Sequence, residues 1–124
     1  MRIVKKIEIE GKEAVALFNT GSWHTYVRET LIVKVPKRSI LKSYKIALGG
    51  KIIEVKEKCI IMGKIEGFDF DTEAVPVDEI GKIDGFDLDT IIGAVTMEEW
   101  EIKLDPKTGS LDLEGLRRRE FTEF

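Results

Sequence analysis

The chain is short of amides, thiols and long apolar runs, and each shortage excludes something. It contains no Gln, and Asn19 is its only Asn. Cys59 is the sole cysteine, so neither an intrachain disulfide nor a multi-thiolate zinc site can form. The longest apolar run, Ala14 to Phe18, is far too short to span a bilayer. The first residues, Met1-Arg2-Ile3-Val4-Lys5-Lys6, lack the apolar core of a signal peptide. A cytoplasmic location without membrane contact is therefore expected. No long block of like charge occurs and the net charge is -3, which points away from nucleic-acid and anionic-membrane partners. His24 is the sole histidine and has no Cys near it in sequence, so it reads as a loop residue shaping a cleft edge. No metal and no cofactor is expected.

What is present fits one domain with one core, since the chain has 124 residues. Charged residues make up 35% of it, spread along its length as on a solvated surface. Depletion of thermolabile amides beside many Lys, Glu and Ile is a hyperthermophile-like bias, of the kind an archaeal or thermophile source would give.

Residues 2–10 alternate charged and aliphatic side chains, a strand pattern. Glu10-Gly11-Lys12 is a turn, and Glu13 to Phe18 is a second strand, apolar on both faces and therefore central. Trp23 to Val35 continues in β-forming residues, with Trp23 and Tyr26 open to either a pocket or a core role. Pro36 to Ser39 breaks the run. Tyr44 to Leu48 and Lys51 to Met62 form a hairpin with a Gly49-Gly50 tip. Gly63 to Gly67 turns the chain into a strand over Phe68 to Val77, and Cys59 reads as a packing residue. The segment Gly63 to Thr72 recurs as Gly81 to Thr90, one turn-then-strand solution used twice. Its acidic sets (Asp69, Asp71, Glu73 and Asp87, Asp89) lack the glycine and terminal Glu spacing of a calcium loop and read as a solvated strand face. Thr96 and Glu99 have capping-box spacing, so one short helix is expected to start at Thr96. Glu101 to Leu104 and Ser110 to Leu113 form a last hairpin, and residues 115–124 a charged, loosely ordered tail. The sum is about eight strands with one short α-helix, a mostly β, closed barrel-like domain.

Two stretches carry chemistry. Ala16-Leu17-Phe18-Asn19-Thr20-Gly21-Ser22 runs from an apolar strand into a tight polar turn. Ile91-Ile92-Gly93-Ala94, about 70 residues later, places two apolar residues and a glycine before the helix. With the glycine-tipped hairpin between them, they resemble the retropepsin-like aspartic proteases, the single-domain class that includes the retroviral enzymes. The resemblance runs in order from residue 3 to about residue 113. It departs at one letter: position 19 is Asn where the family has its catalytic Asp.

The resemblance implies a retropepsin-like closed β-barrel acting as a homodimer on peptide or unfolded-protein substrates. Asn19 (in place of the water-activating Asp), Thr20, Gly21 and Ser22 would form the catalytic loop. Leu48, Gly49, Gly50 and Lys51 would be the flap, and Ile92, Gly93 and Ala94 the floor beside the substrate. Met1 to Lys5 and Leu111 to Phe124 would be interface segments. Two carboxylates must share one proton in this chemistry, and one chain supplies one copy of the tripeptide, so two chains must meet. Asn19 ends that chemistry while keeping nearly the same shape, so this chain is expected to be an inactive form. Natural drift is one origin; an engineered Asp-to-Asn change explains better why the only amide in the chain sits there. The alternative is a natural pseudoprotease, a dimeric module that binds extended peptides without cutting.

Overall fold

The computed structural model describes residues 1–124 and is mostly β, with eleven strands and two short helices. Strand β1 (Arg2–Ile9) turns at Glu10 and Gly11 into β2 (Lys12–Asn19), the two paired antiparallel along their full length from Arg2↔Asn19 to Ile9↔Lys12. On β2, Ala14, Ala16 and Phe18 face one buried cluster while Leu17 faces a second. The expected two-faced burial of this strand is thus met, and it fixes β2 in the sheet interior.

The run of β-formers from Trp23 to Val35 does not make one long strand. Only β3 (Tyr26–Arg28) is extended, followed by a single 3₁₀ turn over Glu29–Leu31. Tyr26 is buried in the second cluster, whereas Trp23 is 63% exposed. Strand β4 begins earlier than the proline break suggested, running from Arg38–Leu48, and pairs with β5 (Lys51–Ile65). Gly63 lies inside β5 and is not part of the turn. Here β1 crosses β5 (Ile9↔Gly63), and a Cβ on Gly63 would stand 2.1 Å from the Glu8 carbonyl oxygen. The turn itself is Glu66-Gly67, leading into β6 (Phe68–Val77). The second repeat copy makes the same turn at Asp84-Gly85 between two-residue strands, β7 (Lys82–Ile83) and β8 (Phe86–Asp87).

Strand β9 (Thr90–Ile92) completes a seven-stranded sheet in the order β1-β2-β9-β3-β6-β5-β4. It pairs parallel with β2 and antiparallel with β3. Helix α1 (Ala94–Glu99) starts two residues before the expected Thr96, and its N-cap is Gly93. Thr96 is buried inside the helix, so the capping box does not form. After the hairpin of β10 (Lys103–Asp105) and β11 (Ser110–Asp112), a second helix, α2 (Glu114–Arg118), buries Gly115 and sets Leu116 in the larger cluster. The single helix expected is therefore one of two, and the regular structure reaches into the segment read as a loose tail. Alternation alone could not signal α2, whose burial rests on two adjacent residues.

Candidate active site

The parallel pairing of β2 with β9 sets Leu17 opposite Ile91 and Phe18 opposite Ile92. The two stretches singled out in the sequence leave the sheet side by side, Asn19 from one strand and Gly93 from the other. Both strands are buried up to that point, so the loops start from fixed anchors.

Asn19 is half-buried and its side chain is held at both ends. Its Oδ1 accepts the Gly21 amide at 2.9 Å, and its Nδ2 donates to the Ser22 hydroxyl at 3.2 Å. The Ser22 amide closes the turn on the Asn19 carbonyl at 3.1 Å. Thr20 is tied to β1: its amide donates to the Met1 carbonyl at 3.1 Å, and its hydroxyl accepts from the Met1 amino nitrogen at 2.9 Å.

The loop then lies on the start of α1. The Ala94 amide donates to the Ser22 carbonyl at 2.7 Å, and the Val95 amide to the Trp23 carbonyl at 3.2 Å. The approach is so close that a Cβ on Gly93 would stand 2.1 Å from the His24 carbonyl oxygen. Beneath this contact runs a chain of buried hydroxyls. The Gly93 amide donates to Thr25 Oγ1 at 3.0 Å; Thr25 and Thr96 share a hydrogen bond of 2.6 Å, and so do Thr96 and Thr72. The Thr72 hydroxyl donates onward to the Glu73 carbonyl at 3.4 Å. In each 2.6 Å pair either hydroxyl can donate, and Thr96, lying between the other two, joins both. Thr25 and Thr72 were not legible as site residues, because isolated threonines carry no spacing signal, and the spacing at Thr96 pointed to a helix cap instead.

Asp89 also departs from its reading as part of a solvated acidic face. It is half-buried and staples three strands: its Oδ2 accepts the Val15 amide at 2.8 Å, and its Oδ1 pairs with Arg28 Nη1 at 3.1 Å. The Arg28 amide in turn donates to the Asp89 carbonyl at 2.9 Å.

The β4–β5 tip, Gly49-Gly50, does not reach the two loops by any hydrogen bond. Leu48 is buried in the second cluster, Gly49 approaches the Ile80 carbonyl, and Lys51 pairs with Glu79 at 3.4 Å. His24 lies where the chain leaves the Asn19 loop, its ring 5.9 Å from Tyr44 and 6.3 Å from Tyr26. Burial, then the Lys58 ammonium, lowers its pKa, and Glu73 offsets part of this. Trp23, His24, Lys58, Glu73 and Glu99 border a cavity of ≈ 240 Å³. Burial raises the Glu99 carboxyl, helped by the charges of Asp71 and Glu73. Cys59 is buried and its thiol pushed up by that burial, as suits a packing residue. No three His, Cys, Asp or Glu side chains cluster so as to hold a metal ion. No helix is long and apolar enough to cross a membrane.

No family model matches the chain, and no curated protein matches it. Solved structures do. The retroviral protease-like domain of Ddi1 from Leishmania major superposes with a TM-score of 0.56 at 14% identity, over 92% of this chain and 89% of that one. The EIAV protease complexed with the inhibitor HBY-793 gives 0.54 at 19% identity, over 85% of this chain and 93% of that one. The fold is that of the retropepsin-type proteases. Within a retropepsin-type fold the Asn19 and Gly93 loops, the two stretches that suggested it, are adjacent.

Proposed function

We propose that this chain is the scaffold of a retropepsin-type aspartic endopeptidase, working as a homodimer, with its catalytic carboxylate replaced by the Asn19 amide. The observation that carries the reading is the setting of the residue-19 side chain. One of its terminal atoms accepts a backbone amide and the other faces a hydroxyl. A carboxylate there would accept from both Gly21 N–H and Ser22 O–H, since a hydroxyl can donate as readily as it accepts. The amide must instead donate to Ser22 and turn that hydroxyl's own proton elsewhere.

In the proposed dimer the two residue-19 side chains meet at the two-fold axis, because each chain brings one. With carboxylates at both positions, one takes a proton from water as that water attacks the scissile carbonyl. The other, protonated, donates to the carbonyl oxygen. The β4–β5 hairpin would cover a peptide held in an extended conformation. An amide can do neither proton transfer near neutral pH, and general acid–base catalysis supplies about 10²–10⁴-fold. This chain as it stands is therefore inactive.

The test is Asn19→Asp, purified as a folded dimer and offered unfolded proteins between about pH 3 and 7. Peptide cleavage with an acidic optimum, blocked by a statine inhibitor, is expected. No cleavage anywhere in that window would sink the reading. The alternative is a peptide-binding pseudoprotease, in which Asn19 is the native residue and keeps the same two partners. An Asn codon in the native coding sequence would support that alternative, an Asp codon the enzyme.

A further inference from the structure

The β4–β5 hairpin carries a groove whose exposed apolar members, Leu41, Ile60 and Met62, belong to neither core. Between Ser39↔Glu57 and Tyr44↔Val55 the pairing shifts, so the four residues 40–43 of β4 oppose only Lys56 of β5. The bulge throws Leu41 fully into solvent, 108% exposed, beside Ile60 at 62% and Met62 at 64%. Together they line a groove of ≈ 970 Å³. Large aliphatic side chains gathered on one exposed face mark a binding surface more often than chance scatter does. Strand β4 ends the sheet order, so its outer edge has no neighbouring strand.

The groove also has a charge. Arg38, Lys42 and Lys58 line it against a single carboxylate, Glu73. Glu73 is taken by Lys58 at 3.1 Å, while Arg38 and Lys42 make no ion pair within the chain. Ile60 and Met62 stand two residues apart on the same face of β5. An extended peptide presents every second side chain to one face, with the same repeat of about 6.5–7 Å. Lys58 and Glu73 also border the cavity beside His24, so the groove continues from the end of the catalytic loop.

We propose that this groove docks an extended polypeptide segment that presents aliphatic side chains and carboxylates on one face, as the flank of a peptide lying in the cleft. The connection to the cleft rests on the peptide-binding reading above; the docking does not depend on residue 19. The aliphatic side chains cover Leu41, Ile60 and Met62, and the carboxylates meet Arg38 and Lys42.

The chain with Asn19 in place suits the measurement, because it leaves the probe uncut. A fluorescein-labelled peptide of about eight residues, with Leu and Glu taking turns at every second position and Ser between them, is titrated by anisotropy at about 0.1 M salt. Saturable binding is expected, with the matching Leu–Lys peptide binding at least about tenfold more weakly. Leu41→Asp should weaken the Leu–Glu probe by about tenfold or more. Leu41 touches neither core, so an unchanged urea midpoint confirms the fold of that variant. Reversing Arg38→Glu and Lys42→Glu together should swap the preference to the Leu–Lys peptide. Absence of saturable binding overturns the proposal, as does binding indifferent to both changes. Self-association that Leu41→Asp abolishes would also overturn it, by giving the groove to a second copy. If Asn19→Asp fails to cleave while the probe still docks, the protease reading falls and the groove stands; cleavage without docking gives the reverse.

Discussion

Thr96 is the residue whose removal tests the site architecture most directly. Its hydroxyl bonds both Thr25 and Thr72 at 2.6 Å, and all three groups are buried. Thr96→Val keeps the shape and takes away the link. Thr25 and Thr72 then each lose a buried hydrogen-bond partner. An unsatisfied buried polar group costs about 1–3 kcal/mol, and the new methyl group returns less than about 1 kcal/mol of apolar burial. A net loss of about 2–4 kcal/mol is expected, a large part of the 5–15 kcal/mol typical of a domain. With a urea m-value of about 2 kcal/mol/M, the midpoint should fall by about 1–2 M. Thr96→Ser keeps the hydroxyl and should lose only about 1 kcal/mol, the worth of one buried methyl group. In a double-mutant cycle, Thr25→Val and Thr96→Val should be strongly non-additive, since the second change removes a group already orphaned by the first. The assay is equilibrium urea unfolding followed by tryptophan fluorescence. Thr96→Val at parental stability, or Thr96→Ser as damaging as Thr96→Val, would refute the hydroxyl chain.

Four further outcomes follow from single observations. Gly93→Ala drives a Cβ to within 2.1 Å of the His24 carbonyl oxygen and should cost about 3 kcal/mol or more in urea unfolding. Gly63→Ala meets the Glu8 carbonyl at the same distance, so it should loosen the β1–β5 crossing, read as faster exchange of the Glu10 amide, which donates to the Met62 carbonyl at 2.8 Å. His24 has its folded pKa lowered from 6.5, so its contribution to stability is complete above 6.5 and is lost as pH falls through the folded value; His24→Gln should flatten that part of the urea midpoint profile. Glu99 has its folded pKa raised from 4.5, so its contribution is complete below 4.5 and is lost as pH rises through the folded value. Relative to the parent, Glu99→Gln should therefore gain stability between about pH 4 and pH 7.

Much of the fold could be read from local pattern, and what could not has a physical cause. β2 was legible because five apolar residues in a row ask for two buried faces, and the sheet provides them. The hairpin tips at Gly49-Gly50 and Glu66-Gly67 were legible because glycine marks tight turns. Trp23 to Val35 misled because β-propensity measures fit to a pleated surface, and most of that stretch has no partner strand. Thr96 misled for a related reason. The same hydroxyl that would cap a helix in an isolated segment is drawn inward here by Thr25 and Thr72, which lie far away in sequence. Gly63 read as a turn because its real constraint is the crossing strand at Glu8. Local chemistry was readable wherever neighbours in sequence settled it; contacts between distant segments were not.

Those distant contacts separate two kinds of structure around the cleft. The Asn19 loop is held by β1 at Thr20, by its own turn at Gly21 and Ser22, and by α1 at Ser22, Trp23 and Thr25. The β4–β5 hairpin is tied at its tip only to Glu79 and Ile80, and its outer edge pairs with nothing. A site for acid–base chemistry needs the first kind, because proton transfer requires fixed distances. A cover for extended peptides needs the second, because it must open for each ligand. Exchanging the Asn19 amide for a carboxylate reverses one bond of the first kind, that to Ser22, and touches nothing of the second. Under the proposed function, Asn19→Asp should therefore change cleavage while leaving peptide binding within about a few-fold.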